Sequence, residues 1–412
     1  MAAKKTATRT KKRAPAARRK KSPAAGDAPQ RFASPRPLAH DGKKWVRGRV
    51  PASQAPARNE SYEALPPPPA SGQFHLDLAQ VLPAAAMRAI QKAGKLVFHV
   101  DGDVGGIDGT GPQTAVADAM EEEIKSADPG EAAAFLYLVG DLVYFNGESD
   151  KYYRQFYLPY QFYPGPIFAV PGNHDGEMDP GTSNDFSLEG FMRNFCAAAP
   201  GPSPDRGDTD RDAMAQPYCY WTLDTPFATL IGLYSNVPAH GKIEDPQAAW
   251  FTAELKAAKA ARAKGGRKAV VVCVHQPIFS QDAFHGGSAV MEKFFESAIA
   301  RAGLAPDLIL TGHVHNYQRF TWRTKGRSVT QLVVGAGGYN HLHAMAKGPD
   351  KEKPEAPLEI DAGLTLEQYS DQAWGYLRLE IGAGTITGTY RDVIAPHAAA
   401  SPALRDSFTI DF

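Results

Sequence analysis

Cysteine is scarce in this chain of 412 residues, which has three: Cys196, Cys219 and Cys273. Their spacing holds no Cys-x-x-Cys pair, and three thiols cannot build a dense disulfide framework. Cys219 and Cys273 stand in apolar, strand-like text, so they read as small buried hydrophobes, not redox or metal groups. No run approaches about 20 apolar residues, so a transmembrane helix is not expected. The basic start has no apolar stretch behind it, which argues against a secretory signal, and Arg18-Arg19 lacks the rest of a twin-arginine address. The expected location is cytoplasmic; a transit-type start into an organelle, or secretion, is the alternative.

Net charge is missing too, with 45 Lys+Arg against 45 Asp+Glu, but the balance hides a segregation. Residues 1–50 hold sixteen of the basic groups, opposed by Asp27 and Asp41, which leaves 29 basic against 43 acidic groups in the remainder. An acidic body suits a protein that collects metal cations better than one that wraps DNA. Residues 1–70 are rich in Lys, Arg, Ala and Pro and end in Pro66–Pro69. They cannot bury enough apolar surface to offset chain ordering, so a disordered tail is expected. Such a tail could touch nucleic acid or an anionic membrane; a solvated tail with no dedicated partner is the simpler reading.

Residues 71–412 are expected to form a single α/β domain. Strands are expected at 95–100, 134–139 and 166–170, with helical patterns at 113–126 and 150–162 between them. Glu121, Glu122 and Glu123 read as the wet face of the first helix. Strand, helix, strand at this length implies right-handed crossovers and a mainly parallel sheet. Further strands are expected at 218–223, 227–235, 268–274, 307–310, 328–334, 374–381, 385–391 and 408–412, and helices at 245–263 and 287–302. The stretch 348–357 reads as a surface loop.

Five strand-to-loop junctions carry metal-ligating residue types. The run Leu308-Ile309-Leu310 breaks into Thr311-Gly312-His313-Val314-His315, and side chains two apart in extended chain point the same way, so each imidazole could serve one of two neighbouring ions. The others are Asp101-Gly102-Asp103-Val104-Gly105, Gly140-Asp141-Leu142-Val143-Tyr144, Gly172-Asn173-His174-Asp175 and Val272-Cys273-Val274-His275. Each alone has a plain reading: a turn Asp, a buried Tyr, a satisfied His. Together they place hard and imidazole donors at strand carboxyl ends, where ligands of open α/β sheets collect.

This set resembles the calcineurin-like metallophosphoesterases and, within them, the purple acid phosphatase branch. Gln247-x-x-Trp250-Phe251-x-x-Glu254-Leu255 is also similar to a helix of that branch. Most members place a His two residues after the first Asp; here Gly105 holds that place, and the branch supplies the missing ligand from a Tyr equivalent to Tyr144. The resemblance implies a four-layer αββα sandwich of two mixed sheets flanked by helices. It implies a dinuclear centre with Asp103, Asp141, Tyr144 and His315 on one ion and Asp141, Asn173, His275 and His313 on the other. Fe³⁺ is implied at the tyrosinate position and Zn²⁺, Mn²⁺ or Fe²⁺ at the second.

It further implies hydrolysis of a small phosphate ester by a metal-bound hydroxide, in the manner of an acid phosphatase acting on monoesters. His174 is then a catalytic and substrate-binding group beside Asn173, and His285 faces the substrate. Tyr317 and Arg319 are expected to pack and to pair at the rim. A phosphodiesterase or nucleotide pyrophosphatase at the same metals is the nearest alternative. A binding module that uses the basic tail and keeps a vestigial site is the alternative of another class.

Overall fold

The computed structural model describes residues 36–50, 64–69, 71–107, 109–128, 130–179, 181–235, 241–395 and 403–412. All of these belong to one compact unit, Pro35–Phe412.

Two large mixed sheets face each other. The six-stranded sheet runs, in spatial order, Ala403–Asp411, Thr385–Ile394, Trp374–Gly382, Lys95–Asp101, Leu136–Leu138 and Ile167–Ala169. Its last three strands are parallel and the others antiparallel. The nine-stranded sheet has a parallel centre as well, in which Ala228–Leu233, Ala269–Val274, Leu308–Thr311 and Arg327–Val334 lie side by side. Antiparallel strands flank that centre, so the expected mainly parallel sheet is instead a parallel core with antiparallel edges.

The layering follows from a two-residue period in strands apolar on both faces. In Ala269–Val274, Val271 and Cys273 join the core between the sheets, with Phe98, Tyr137, Phe168 and Leu310. Val270, Val272 and Val274 turn the other way, into a core built with Phe251, Leu255, Met291 and Phe295 from helices Asp245–Ala263 and Ala289–Ala302. Helix Gly111–Ser126 covers the far face of the smaller sheet through Val116, Ala117 and Met120. Helices, sheet, sheet and helices thus stack as a mixed α/β sandwich. All three cysteines are free, with Cys219 and Cys273 buried. Among the described residues, no helix is long and apolar enough to cross a membrane.

Two further sequence readings change. Residues 36–50, placed in the tail, form a hairpin, Leu38–Asp41 with Lys44–Arg49. Its Arg47 and Arg49 both pair with Glu292, and Arg47 Nε also lies 2.6 Å from Asp361. Fixed partners on the folded body order a segment that composition alone marks as polar; the rest of 1–35 and 51–63 falls outside the described residues. The wet-face reading of Glu121–Glu123 holds for Glu122, whereas Glu121 is buried and Glu123 anchors a network. Glu123 accepts from Tyr376 Oη (2.8 Å) and meets His99 Nε2 (2.9 Å), Arg378 Nε (3.1 Å) and Arg391 Nε (3.2 Å).

The edge strand His75–Asp77 is docked by charge. His75 Nδ1 lies 2.8 Å from Asp224 Oδ2 and Nε2 3.1 Å from Glu254 Oε1. Hydrogen bonds to these two carboxylates raise its pKa to about 10. Because the folded pKa lies above the unfolded value of about 6.5, this contribution is complete below pH 6.5 and fades as pH rises through 10. The ring is half-exposed, so the effect is modest. Denaturation of wild type and His75→Gln should therefore differ most at pH 6 and converge near pH 10.5; curves that stay parallel over that range contradict the assignment.

Candidate metal centre

Each junction sits at the carboxyl end of a parallel strand. The six-stranded sheet delivers Asp103, Asp141 and the Asn173-His174 pair, and the nine-stranded sheet delivers His275, His313 and His315. The two rims are stitched directly together. His275 Nδ1 donates to Val139 O (2.8 Å), Gly312 N to His275 O (2.9 Å) and His313 N to Asp103 Oδ2 (2.8 Å).

The turns that present these donors are unusual. Asp103, Asp141 and His313 have φ of 55°, 53° and 68°. Asp and His enter this left-handed region more readily than most residues, at a cost on the order of 1 kcal/mol each. Close approach makes the same demand at Gly172, where a Cβ would stand 2.1 Å from Asp141 Oδ1. With only hydrogen there, His174 N reaches that oxygen at 2.9 Å.

The structure brings the seven expected metal ligands together in two subclusters joined by Asp141. In the first, Asp103 Oδ1 is 3.4 Å from Tyr144 Oη and 3.5 Å from His315 Nε2. In the second, Asn173 Oδ1 is 3.2 Å from His275 Nε2 and 2.9 Å from His313 Nδ1. Asp141 Oδ2 stands between them, 3.3 Å from both Tyr144 Oη and His275 Nε2. His174 Nδ1 donates to Phe145 O (2.9 Å), which leaves its Nε2 free. His285 lies against His313, ring centres 4.5 Å apart. Tyr317 and Arg319 both bind Asp406, as packing and rim pairing require.

Electrostatics match a site made for cations. Burial opposes charge on His275, but Asp141 and Asp103 more than offset it and raise its pKa to about 9. His174 is likewise raised to about 9, against burial, by Asp141 and Glu177. Burial alone would raise Asp141, yet His275 and His174 hold it below the usual carboxylate range. Burial, then the Asp141 and Asp103 charges, push the Tyr144 phenol well above its ordinary value. Asp141 thus draws protons onto two neighbouring imidazoles, whereas burial pushes His313 well below and Asp103 above their ordinary values; a metal ion could supply the positive charge that Asp141 attracts.

The donors suit metal ions. Among the described residues, Asp141, His275 and His313 offer ligand atoms all within 4.8 Å of one another. Backbone carbonyls hold the Nδ1 atoms of His275 and His315, at Val139 and His341 (2.9 Å), so that each Nε2 points inward. This is how ligating imidazoles are commonly fixed. Among the described residues, the buried Nε2 of His313 has no hydrogen-bond partner.

Three contributors escape the sequence reading. Asp175 accepts from Leu142 N (3.0 Å), Val143 N (3.3 Å) and Gly172 N (2.8 Å), locking two ligand loops together. Burial and Asp141 raise its pKa to about 7. Glu177 accepts from the Asn173 amide at 3.3 Å, which turns Oδ1 of that amide inward. His343 stacks on His315, ring centres 4.1 Å apart. Its signal was a second His-x-His, His341-Leu342-His343.

Among solved structures, the anchor of the inner membrane complex of Plasmodium, GAP50, is similar at a TM-score of 0.52 and 14% identity, covering 77% of this chain and 89% of that one. Purple acid phosphatase PPD1 from yellow lupin (Lupinus luteus) seeds gives 0.52 and 16%, covering 77% of this chain and 54% of the lupin protein. This chain thus spans about half the length of the lupin enzyme. The two neighbours agree on the sandwich and on nothing finer. Residues 97–317, more than half of the chain and the interval that holds all five junctions, match the family described as calcineurin-like phosphoesterase, and the chain belongs to that family.

Proposed function

We propose that this chain hydrolyses phosphate monoesters at a pair of metal ions. One observation carries the reading: five strand ends from two sheets bring two carboxylates, a phenol, an amide and three imidazoles into one buried cluster divided into halves by Asp141. Asp103, Tyr144 and His315 would hold the first ion and Asn173, His275 and His313 the second, with Asp141 shared by both. When bound, such a pair supplies an acidified water and neutralises charge on the phosphate as it builds up.

The chain's own groups do the rest. His174, with Nδ1 held by Phe145 O, presents Nε2 to the phosphate or to the departing alcohol. His285 lines the same side through its contact with His313. Aspartate, imidazole and amide donors leave the second position to Zn²⁺, Mn²⁺ or Fe²⁺.

Support for the purple acid phosphatase branch comes from Gly105. A Cβ there would stand 2.7 Å from Tyr144 Cδ2, 2.7 Å from Leu142 O and 2.6 Å from Gln155 Oε1. The space a histidine would need is filled by the Tyr144 ring, Leu142 O and Gln155 Oε1, and the phenol would complete the first ion's set beside Asp103, Asp141 and His315. Tyrosinate at that position selects Fe³⁺.

One neighbour of the same fold is named an anchor, so architecture alone does not imply turnover. A complete donor set favours the enzyme over a vestigial site. Metal-loaded protein assayed on 4-nitrophenyl phosphate, its bis ester and ATP should turn over the monoester fastest. Faster cleavage of the bis ester or ATP would shift the reading to the diesterase or pyrophosphatase alternative, and inertness toward all three would refute hydrolysis.

A further inference from the structure

Beside the centre stands a built aromatic edge. Phe284 is 47% exposed, yet its loop is tied down by hydrogen bonds. The buried Asp282 carboxylate accepts from Phe284 N and His285 N (both 2.9 Å) and Gly286 N (2.7 Å). The hairpin 36–50 braces the loop from behind: Gly287 N donates to Gly48 O (2.7 Å) and Gln281 Nε2 to Val46 O (2.7 Å).

Inward, Phe284 stacks on His343, ring centres 4.7 Å apart and planes 22° from parallel, and His343 stacks in turn on His315 at 4.1 Å and 22°. His285 closes the side, 4.8 Å from His343 and 4.5 Å from His313. A continuous stair of flat rings therefore leads from the proposed ligands to the surface and ends in a bare phenyl face. An exposed Phe on a loop without such anchors would be ordinary; one on a loop whose 284–286 backbone makes three hydrogen bonds to Asp282, beside a polar site, is positioned to meet something.

We infer that the Phe284–His343 step is the leaving-group subsite, and that the phosphate esters this chain takes carry a flat, π-faced leaving group, either an aryl alcohol or a nucleoside. This rests on the phosphoesterase reading above. A flat ring laid on Phe284 gains stacking that a branched or linear alkyl group cannot. Among the described residues, no Lys or Arg takes part in the stair, so recognition there rests on shape and ring contact.

The test compares Phe284→Ala and Phe284→Trp with wild type on 2-naphthyl phosphate, adenosine 5′-monophosphate and glycerol 2-phosphate. Each variant is referred to wild type on the same substrate, so intrinsic leaving-group reactivity cancels. Phe284→Ala should lose about tenfold in kcat/KM on at least one flat substrate and less than about twofold on glycerol phosphate, with Phe284→Trp close to wild type. Which flat substrate suffers more separates aryl from nucleoside sources. Equal losses on all three, or none, overturn the subsite.

A second readout needs no turnover: calorimetric binding of phenylphosphonate and methylphosphonate to Mn²⁺-loaded protein. Wild type should prefer the phenyl compound and Phe284→Ala should not. A preference that survives the substitution overturns the subsite; a preference lost with it, in a protein that hydrolyses nothing, leaves the subsite standing and removes the catalytic reading.

Discussion

Asp141→Asn should abolish turnover and strip metal together. The side chain spans the two halves of the cluster, with Oδ2 3.3 Å from both Tyr144 Oη and His275 Nε2. The substitution is nearly isosteric, and Asn tolerates the backbone at φ 53° at least as well as Asp. An amide oxygen can still accept the His174 N–H, so folding is preserved. What would disappear is one negative charge between the two proposed cations, several kcal/mol of stabilisation, which corresponds to about a thousandfold or more in kcat. Activity, metal content and thermal melting are measured on one preparation. A variant that is active and fully metallated would show that Asp141 is no bridge.

Tyr144→Phe has the second largest consequence, and it can be seen. A phenol kept well above its ordinary pKa by burial and by Asp141 and Asp103 ionises only beside a strongly acidic cation. Iron-loaded wild type should therefore show a visible absorption band, and Tyr144→Phe should lose the band along with most of its activity. Placing histidine at 105 should not rescue the variant. Removing the phenol oxygen leaves the ring, and Leu142 O would still crowd a Cβ at 2.7 Å. A colourless iron-loaded wild type, or colour that persists in Tyr144→Phe, removes the tyrosinate ligand and the branch with it.

The site was more legible than the scaffold around it. Glycine after an apolar run marks where a buried strand must turn, and Gly102, Gly140, Gly172 and Gly312 punctuate four of the five junctions. Helix Asp245–Ala263 was equally plain, since Pro246 at its start and a long alanine-rich run fix both ends. The strands Tyr317–Thr324 and Leu364–Ser370 went unread, because each mixes charged and polar residues with apolar ones. Antiparallel pairing to each other, at Phe320 with Leu366 and Trp322 with Leu364, buries those apolar positions, and no local pattern reports a partner some forty residues away.

Supporting groups were illegible for a related reason. Asp175 and Glu177 look like turn residues until the loops they join are seen together. His343 reads as one more loop histidine until it lies on His315. A ligand announces itself by its place at a strand end, whereas a group that orients ligands is defined by contacts across the chain. The hairpin at 36–50 is the same case: its arginines look like tail charges until Glu292 and Asp361 hold them.

The most direct test is anomalous diffraction from crystals of the metal-loaded protein, recorded across the iron and zinc edges. Two ions are expected, one among Asp103, Tyr144 and His315 and one among Asn173, His275 and His313, with Asp141 touching both. A single ion, or ions bound away from Asp141, would contradict the dinuclear centre from which every functional conclusion here descends.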